Sequence, residues 1–297
     1  MAVNHLVAYL QKRKAYEKLS DLLTSCGRYD EAGVVQYQQA LTLKNIDDKS
    51  RRIKTILRQT IFTRHPDAEH LVQHGNLLER ISPVIASDTK NSEIGKNQNH
   101  EKIFKIGSVS KQIIFTFISV SRQGQPNIPT LHPNSTVLQT LFYMNFFHYG
   151  EPENLFSSPL ALKKYQKLTE KQALWVATSA RASKFQWKDC EELVLTKGWL
   201  GGRKARGTID IAQVVKLLHH HGATADVLQT FLALVEPIEE RENLARKFGV
   251  HSIVVDVCVT NRDRLALEAF KAKLVPQSRE WFYADNALSV TNTKWKN

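Results

Sequence analysis

Cysteine is scarce in this chain of 297 residues: Cys26, Cys190 and Cys258 are three in number and far apart. A disulfide framework or a zinc site needs cysteines in close pairs, so neither is expected. No stretch approaches eighteen uncharged apolar residues, which excludes a spanning helix of the usual kind. The opening MAVNHLVAYLQKRKAYEKL has no charged head, apolar run and small-residue cleavage site, so a secretory leader is not expected and a reduced, cytosolic setting is. Thirteen glycines and nine prolines fall at the edges of blocks rather than in tracts, which points to many short elements joined by tight turns. Acidic residues are the minority, at 29 against 41 Lys and Arg for a net charge of +12.

What is present is a rhythm of short amphipathic helices, with 42% hydrophobic residues to fill a core. It is densest between Lys171 and Lys273. In KQALWVATSARASKF, Leu174, Trp175, Thr178, Ala182 and Phe185 recur at the spacing that a 3.6-residue period gathers into one stripe. Blocks such as IDIAQVVKLLHHHG, ATADVLQTFLALV, PIEERENLARKFG and RLALEAFKAKLV follow it, with Gly222 and Gly249 as stops and Pro237 as a start. Such stripes are buried economically by stacking helix pairs, so the expected fold is an all-α solenoid of antiparallel pairs.

Three regions are expected: a helical part at residues 3–87, an irregular segment at 88–134, and a second helical domain at 135–297. In the first, LSDLLTSCGRYDEAGVVQYQQAL predicts a helix ending at Gly27 and another starting near Asp30. Small Ala32 and Gly33 permit close approach there, and Val34, Val35 and Tyr37 continue the apolar face. Pro66, with Asp67 and Glu69 after it, predicts a later start. In the middle segment, DTKNSEIGKNQNHEK reads as a polar loop, and Ile113 to Val120 as a β-prone run or a short buried helix. In the third, Leu138, Leu141, Phe142, Phe146 and Tyr149 share a helical face, and Ser158-Pro159 and Thr169-Glu170 open helices.

No grouping spaced for catalysis, cofactor binding or metal binding emerges. The stretch TKGWLGGRKARGT lacks the Gly-Lys-Ser/Thr ending of a phosphate loop and reads as an interhelical turn with solvated basic residues. His219, His220 and His221 point in different directions along a helix, and their place in its last turn suits partial positive charge at the dipole's negative end. Ser108 and Lys111 match a Ser-x-x-Lys pattern without its companion motifs. The five tryptophans, Trp175, Trp187, Trp199, Trp281 and Trp295, all fall in the last part of the chain. Core burial is the first expectation for Trp175 and Trp187, with interface anchoring as the alternative.

The segments YQKLTEKQALWVATSARASKFQWKDCEELVLTKGWLGG and VVKLLHHHGATADVLQTFLALVEPIEERENLARKFGVHSIVVDV, with the terminal KWKN, resemble the C-terminal domain of the vacuolar protein sorting sixteen family. Within it, the resemblance is strongest to the branch of spermatogenesis-defective thirty-nine homologues. It extends over residues 3–88 and 136–297. It implies a helical solenoid and a non-enzymatic adaptor without cofactors. The implied partner is a Sec1/Munc18-type protein, the B form of vacuolar sorting protein thirty-three. The role it suggests is endosome-to-lysosome traffic on early and late endosomes and lysosomes, with SNAREs and other tethering subunits as further partners and peripheral attachment to the endosomal membrane. The family's partner surface corresponds to residues 171–259. Within that region we expect contacts at Trp175, Ala182, Lys184, Trp187, Trp199, Arg241 and Arg246. Two departures stand out: the acidic low-complexity region that precedes the helices in this branch has no counterpart here, and residues 106–122 read as an in-frame insertion, dispensable for binding.

The competing reading is a basic helical-repeat protein that binds nucleic acid, suggested by the net charge of +12. Against it, Lys and Arg are interspersed with acids, as in IEERENLARKFG, so nucleic acid is not the expected partner.

Overall fold

The computed structural model describes residues 2–59, 67–94, 131–198, 202–290 and 294–296. Pro66, Ser108, Lys111, Trp199 and the segment 106–122 lie outside the described residues, as does the Ile113 to Val120 run. The chain divides into two compact units, whose described residues meet at Leu168 and Thr169.

In the first unit, α1 (Ala2–Lys12), α2 (Tyr16–Ser25), α3 (Tyr29–Thr42), α4 (Ile46–Leu57) and α5 (Ala68–Ile94) each pack on the next, and α6 (Val137–Phe147) packs on α7 (Pro159–Tyr165). The turn between α2 and α3 follows the sequence closely. Gly27 takes φ 73°, the left-handed conformation open to glycine, and Ala32 and Gly33 are buried where the helices meet. Val34 is instead exposed, because the buried face runs through Ala32, Val35 and Ala40. The helix α5 does not stop at Ser87 but continues to Ile94, so the polar stretch beginning at Asp88 is helical at its start. Its anchor is Asp88 itself, a buried carboxylate described below. In α6, burial extends beyond the predicted face: Leu141 and Phe146 are joined inside by Tyr143, Met144 and Asn145, whereas Leu138 is exposed.

The second unit contains α8 (Glu170–Ser183), α9 (Trp187–Val194), α10 (Ile211–His220), α11 (Ala225–Leu232), α12 (Ile238–Phe248), α13 (His251–Asn261), α14 (Arg264–Lys271) and α15 (Arg279–Ser289). Neighbours pack in sequential pairs, while α8 lies on α10, α10 on α12, α11 on α13 and α13 on α15. Contacts between alternate helices are the signature of stacked pairs, so the expected α-solenoid arrangement holds. One apolar cluster runs through this unit, with Val214, Val215, Leu218, Phe231, Leu232, Val254 and Leu267 among its members.

Local chemistry explains the starts and stops. Thr136 and Thr169 each form a capping box with the glutamine three residues on, and Ser158 accepts from the Ala161 amide with Pro159 in the first turn. Such caps are each worth about 1 kcal/mol. Gly222 and Gly249 take left-handed conformations just past α10 and α12. The stretch after α9 differs from the expected plain turn: β1 (Leu195–Lys197) and β2 (Arg203–Ala205) form a two-stranded antiparallel ribbon. Near the C-terminus, Trp295 packs against the core cluster and the Lys296 amide donates to the Arg262 carbonyl at 2.9 Å.

Candidate partner-binding surface

The stripe on α8 is real but rotated from its expected position. Leu174, Thr178 and Ala182 are buried, with Ala173, Ala177 and Ala180 beside them, and Trp175 is 36% exposed. Consecutive residues on a helix diverge by about 100°, so a stripe centred on the alanines carries Leu174 inward and Trp175 toward solvent. The core expectation for Trp175 is thereby corrected. Ala182, at 0% exposure, packs inside the unit's own core and is a packing position rather than a contact.

At the end of α8 the backbone turns by a Schellman motif: the Phe185 amide donates to the Ala182 carbonyl at 2.9 Å and the Gln186 amide to the Arg181 carbonyl at 3.0 Å. The left-handed position in this motif normally holds glycine, yet here it is Phe185, at φ 59°. A side chain there costs about 1–2 kcal/mol relative to an ordinary backbone conformation. Phe185 was expected on the buried stripe, but the helix ends at Lys184, the period no longer applies, and the ring stands 48% exposed. It meets Trp187 edge-on, with ring centroids 5.9 Å apart. Trp187 opens α9 and is half-buried against the core, so it holds the pair in place.

Beneath this turn, the nearly buried Arg181 donates from Nε to Asp189 Oδ2 at 2.7 Å, tying the end of α8 to the start of α9. Lys184, half-buried beside it, has its pKa lowered by burial and by the Arg181 charge. Arg241 and Arg246 lie on α12 and have structural partners. Arg241 donates to the Val235 carbonyl at 2.9 Å, and Arg246 pairs with Glu242 at 2.7 Å while lying 5.2 Å from the centre of the Phe270 ring. Sequence reasoning also missed Leu265, Val275 and Phe282, which are exposed around α14 and α15 beyond residue 259.

Two of the histidines at the end of α10, His219 and His221, are held below the ordinary imidazole range. Burial, then the neighbouring His220, pushes His221 down to about 4, and burial likewise lowers His219, whose ring lies 4.0 Å from that of Phe248. Burial of His221 and the Phe248 ring beside His219, rather than a dipole-stabilised charge, account for these two positions. Among the described residues no group of three or more His, Cys, Asp or Glu is arranged to hold a metal ion.

The first unit contains a polar cluster that the sequence did not reveal. Tyr143 donates to Asp88 Oδ2 at 2.5 Å, His148 Nε2 lies 3.0 Å from the same oxygen, and His148 Nδ1 lies 2.8 Å from Glu151 Oε1. Ser157 donates to the other Glu151 oxygen. Burial lowers the His148 pKa, but its hydrogen bonds to the two carboxylates outweigh that and leave it raised. Tyr143 is raised by burial and by Asp88. The cluster fastens α5 to α6 and the loop after it, with Tyr143 and Asp88 both buried.

These features define a class, a helical-repeat module that presents aromatic side chains at a helix turn. Over its whole length the chain is similar to named relatives. It is 31% identical to the spermatogenesis-defective protein 39 homologue of Mus musculus, with all of this chain and 55% of that protein aligned. The Danio rerio homologue is also 31% identical, over all of this chain and 56% of its own length. The Caenorhabditis elegans spermatogenesis-defective protein 39 is 22% identical over 97% of this chain and 54% of its own length. The chain thus spans about half the length of the curated relatives it matches. No family model matches it. No helix among the described residues is long and apolar enough to cross a membrane.

Proposed function

We propose that this chain is a non-enzymatic adaptor of the spermatogenesis-defective 39 and vacuolar sorting sixteen type. Its second unit docks a Sec1/Munc18-type partner in endosome-to-lysosome traffic, and the assembly acts on endosomal and lysosomal membranes together with SNAREs and other tethering subunits. The observation that carries the docking site is Phe185. Lys14, Lys167, Arg262 and Gln277 also take left-handed conformations, but Phe185 is the apolar one of these five, and its exposed ring is a local cost that a binding role explains. Trp187 and Trp175 supply further aromatic surface on the same helix pair, and aromatic side chains dominate interface energetics. The resemblance to the named relatives supports the adaptor class.

The test is affinity purification of the tagged full chain from cells, washed at physiological salt, with nuclease-treated and untreated samples compared. A Sec1/Munc18-type protein should be retained. If retained material is nucleic acid that leaves as salt rises, the basic-repeat reading replaces this one.

A further inference from the structure

The β1–β2 ribbon concentrates the charge of the second unit. Residues 169–297 carry nineteen Lys and Arg against fifteen Asp and Glu, an excess of four. The ribbon and the residue that follows it supply four of those cations, Lys197, Arg203, Lys204 and Arg206, and no acid lies between Glu192 and Asp210. Without the ribbon the two signs are equal, so its cations account for the whole excess.

The register makes the arrangement stranger. Lys197 stands directly opposite Arg203, and Thr196 opposite Lys204. Like charges paired across two strands oppose the pairing that brings them together. Of the four, Arg203 has a carboxylate within reach, Glu191 at 3.0 Å, and among the described residues no ion pair forms at Lys197, Lys204 or Arg206. At the base of the ribbon Leu195 is buried and Ala205 packs on the core; beyond that rung Thr196, Lys197, Arg203 and Lys204 are all exposed. Alternation places Lys197 and Arg203 on one face and Lys204 and Arg206 on the other. Both faces of a narrow ribbon therefore carry uncompensated positive charge.

We infer that this ribbon is a binding site for the anionic headgroups of a lipid surface. A folded protein partner meets one face of a two-stranded ribbon, whereas a layer of mobile headgroups can surround both. Four cations also make a small footprint for nucleic acid, whose binders commonly neutralise six to ten phosphates. Clustered Lys and Arg at an anionic leaflet bind reversibly and lose affinity with salt. The inference rests on the placement of charge and does not require the adaptor reading.

The test is co-sedimentation of the full chain with phosphatidylcholine vesicles, with and without phosphatidylserine, alongside poly(U) RNA. Wild-type protein should bind the phosphatidylserine vesicles in preference to the neutral ones. The fourfold variant Lys197→Gln/Arg203→Gln/Lys204→Gln/Arg206→Gln should lose affinity by about a thousandfold, given four surface cations removed. A control neutralising Lys171, Lys188, Lys273 and Arg279, all exposed elsewhere on this unit, should bind like wild type. The milder Lys204→Gln/Arg206→Gln variant serves if the fourfold one fails to fold by circular dichroism, and should show a smaller loss. Equal binding by wild type and ribbon variants, an equal loss in the control, or tighter ribbon-dependent binding to RNA would each overturn the assignment. Co-purification of the protein partner is read separately, so the adaptor reading can fail while lipid binding holds.

Discussion

The first unit takes polar groups inside and pairs them; the second mostly keeps its buried titratable groups uncharged. In the first, Lys49 is 1% exposed, donates to Asn134, and has its pKa lowered by burial, while Asp88 is shared between Tyr143 and His148. In the second, burial pushes Cys190 up to about 12 and His221 down to about 4, and raises Cys258, so all three stay neutral in the interior. Arg181, paired with Asp189, is the exception. Directional polar bonds hold α5 and α6 in a fixed orientation, whereas continuous apolar packing makes each helix pair a platform for the next.

The strongest way to break this contrast is to put a charge into the second unit. Ala182→Asp buries a carboxylate with no partner, and should destabilise that unit by roughly 3–5 kcal/mol. Hydrogen exchange should rise across residues 170–290 and remain near wild type before Leu168. A wild-type exchange pattern would show that Ala182 is not the core position its 0% exposure indicates. In the first unit, Asp88→Ala leaves the Tyr143 hydroxyl and His148 without their shared acceptor. The expected loss is about 2–3 kcal/mol, with faster exchange in α5 and α6. Exchange unchanged there would mean that the cluster does not fasten these helices.

Acid should also separate the units. His221 is depressed below its ordinary 6.5, so its contribution is present above that value and is lost as pH falls toward about 4, with His219 acting in the same direction. His148 is raised, so its contribution is complete below 6.5 and fades as pH rises through its folded value; His74, lowered by burial and by Lys49, opposes it within the first unit. All five tryptophans lie in residues 169–297, so tryptophan fluorescence reads the second unit alone. Its thermal midpoint should fall as pH is lowered from 6.5 toward 4, and His221→Asn should flatten that fall. An unchanged slope in the variant would remove His221 from the account.

The smallest effect is the most pointed. Phe185→Gly relieves the left-handed backbone, and should stabilise the second unit by about 1 kcal/mol while weakening partner binding. Opposed signs for stability and binding are what a residue kept for an interface gives. Lower stability would show that its contact with Trp187 outweighs the strain.

Element starts and stops were legible in the sequence because capping is local: Thr169 with Gln172, Ser158 with Pro159, and Gly222 and Gly249 all act within a turn of their own helix. The all-α class followed from periodicity for the same reason. What stayed hidden depends on distant neighbours. Nothing near Asp88 announces that Tyr143 and His148 will hold it inside a helix, and nothing in KWKN announces that Trp295 has a core to rest on. At the aromatic turn, Trp187 rests half-buried on the core, but periodicity puts Trp175 inside and extends the stripe through Phe185, one residue past the helix cap. The ribbon was missed because its strands are only three residues each, too short for alternation to register.

The central claim, that the aromatic turn of the second unit docks the protein partner, is tested most directly by matched surface substitutions in the full chain. Trp175→Glu/Phe185→Glu alters two exposed aromatics in the second unit, and Phe156→Glu/Tyr165→Glu alters two in the first. Both proteins should keep the wild-type circular dichroism spectrum, and co-purification of the Sec1/Munc18-type partner should be lost with the first pair and kept with the second. Retention with the first pair, or loss with the second alone, would contradict the account.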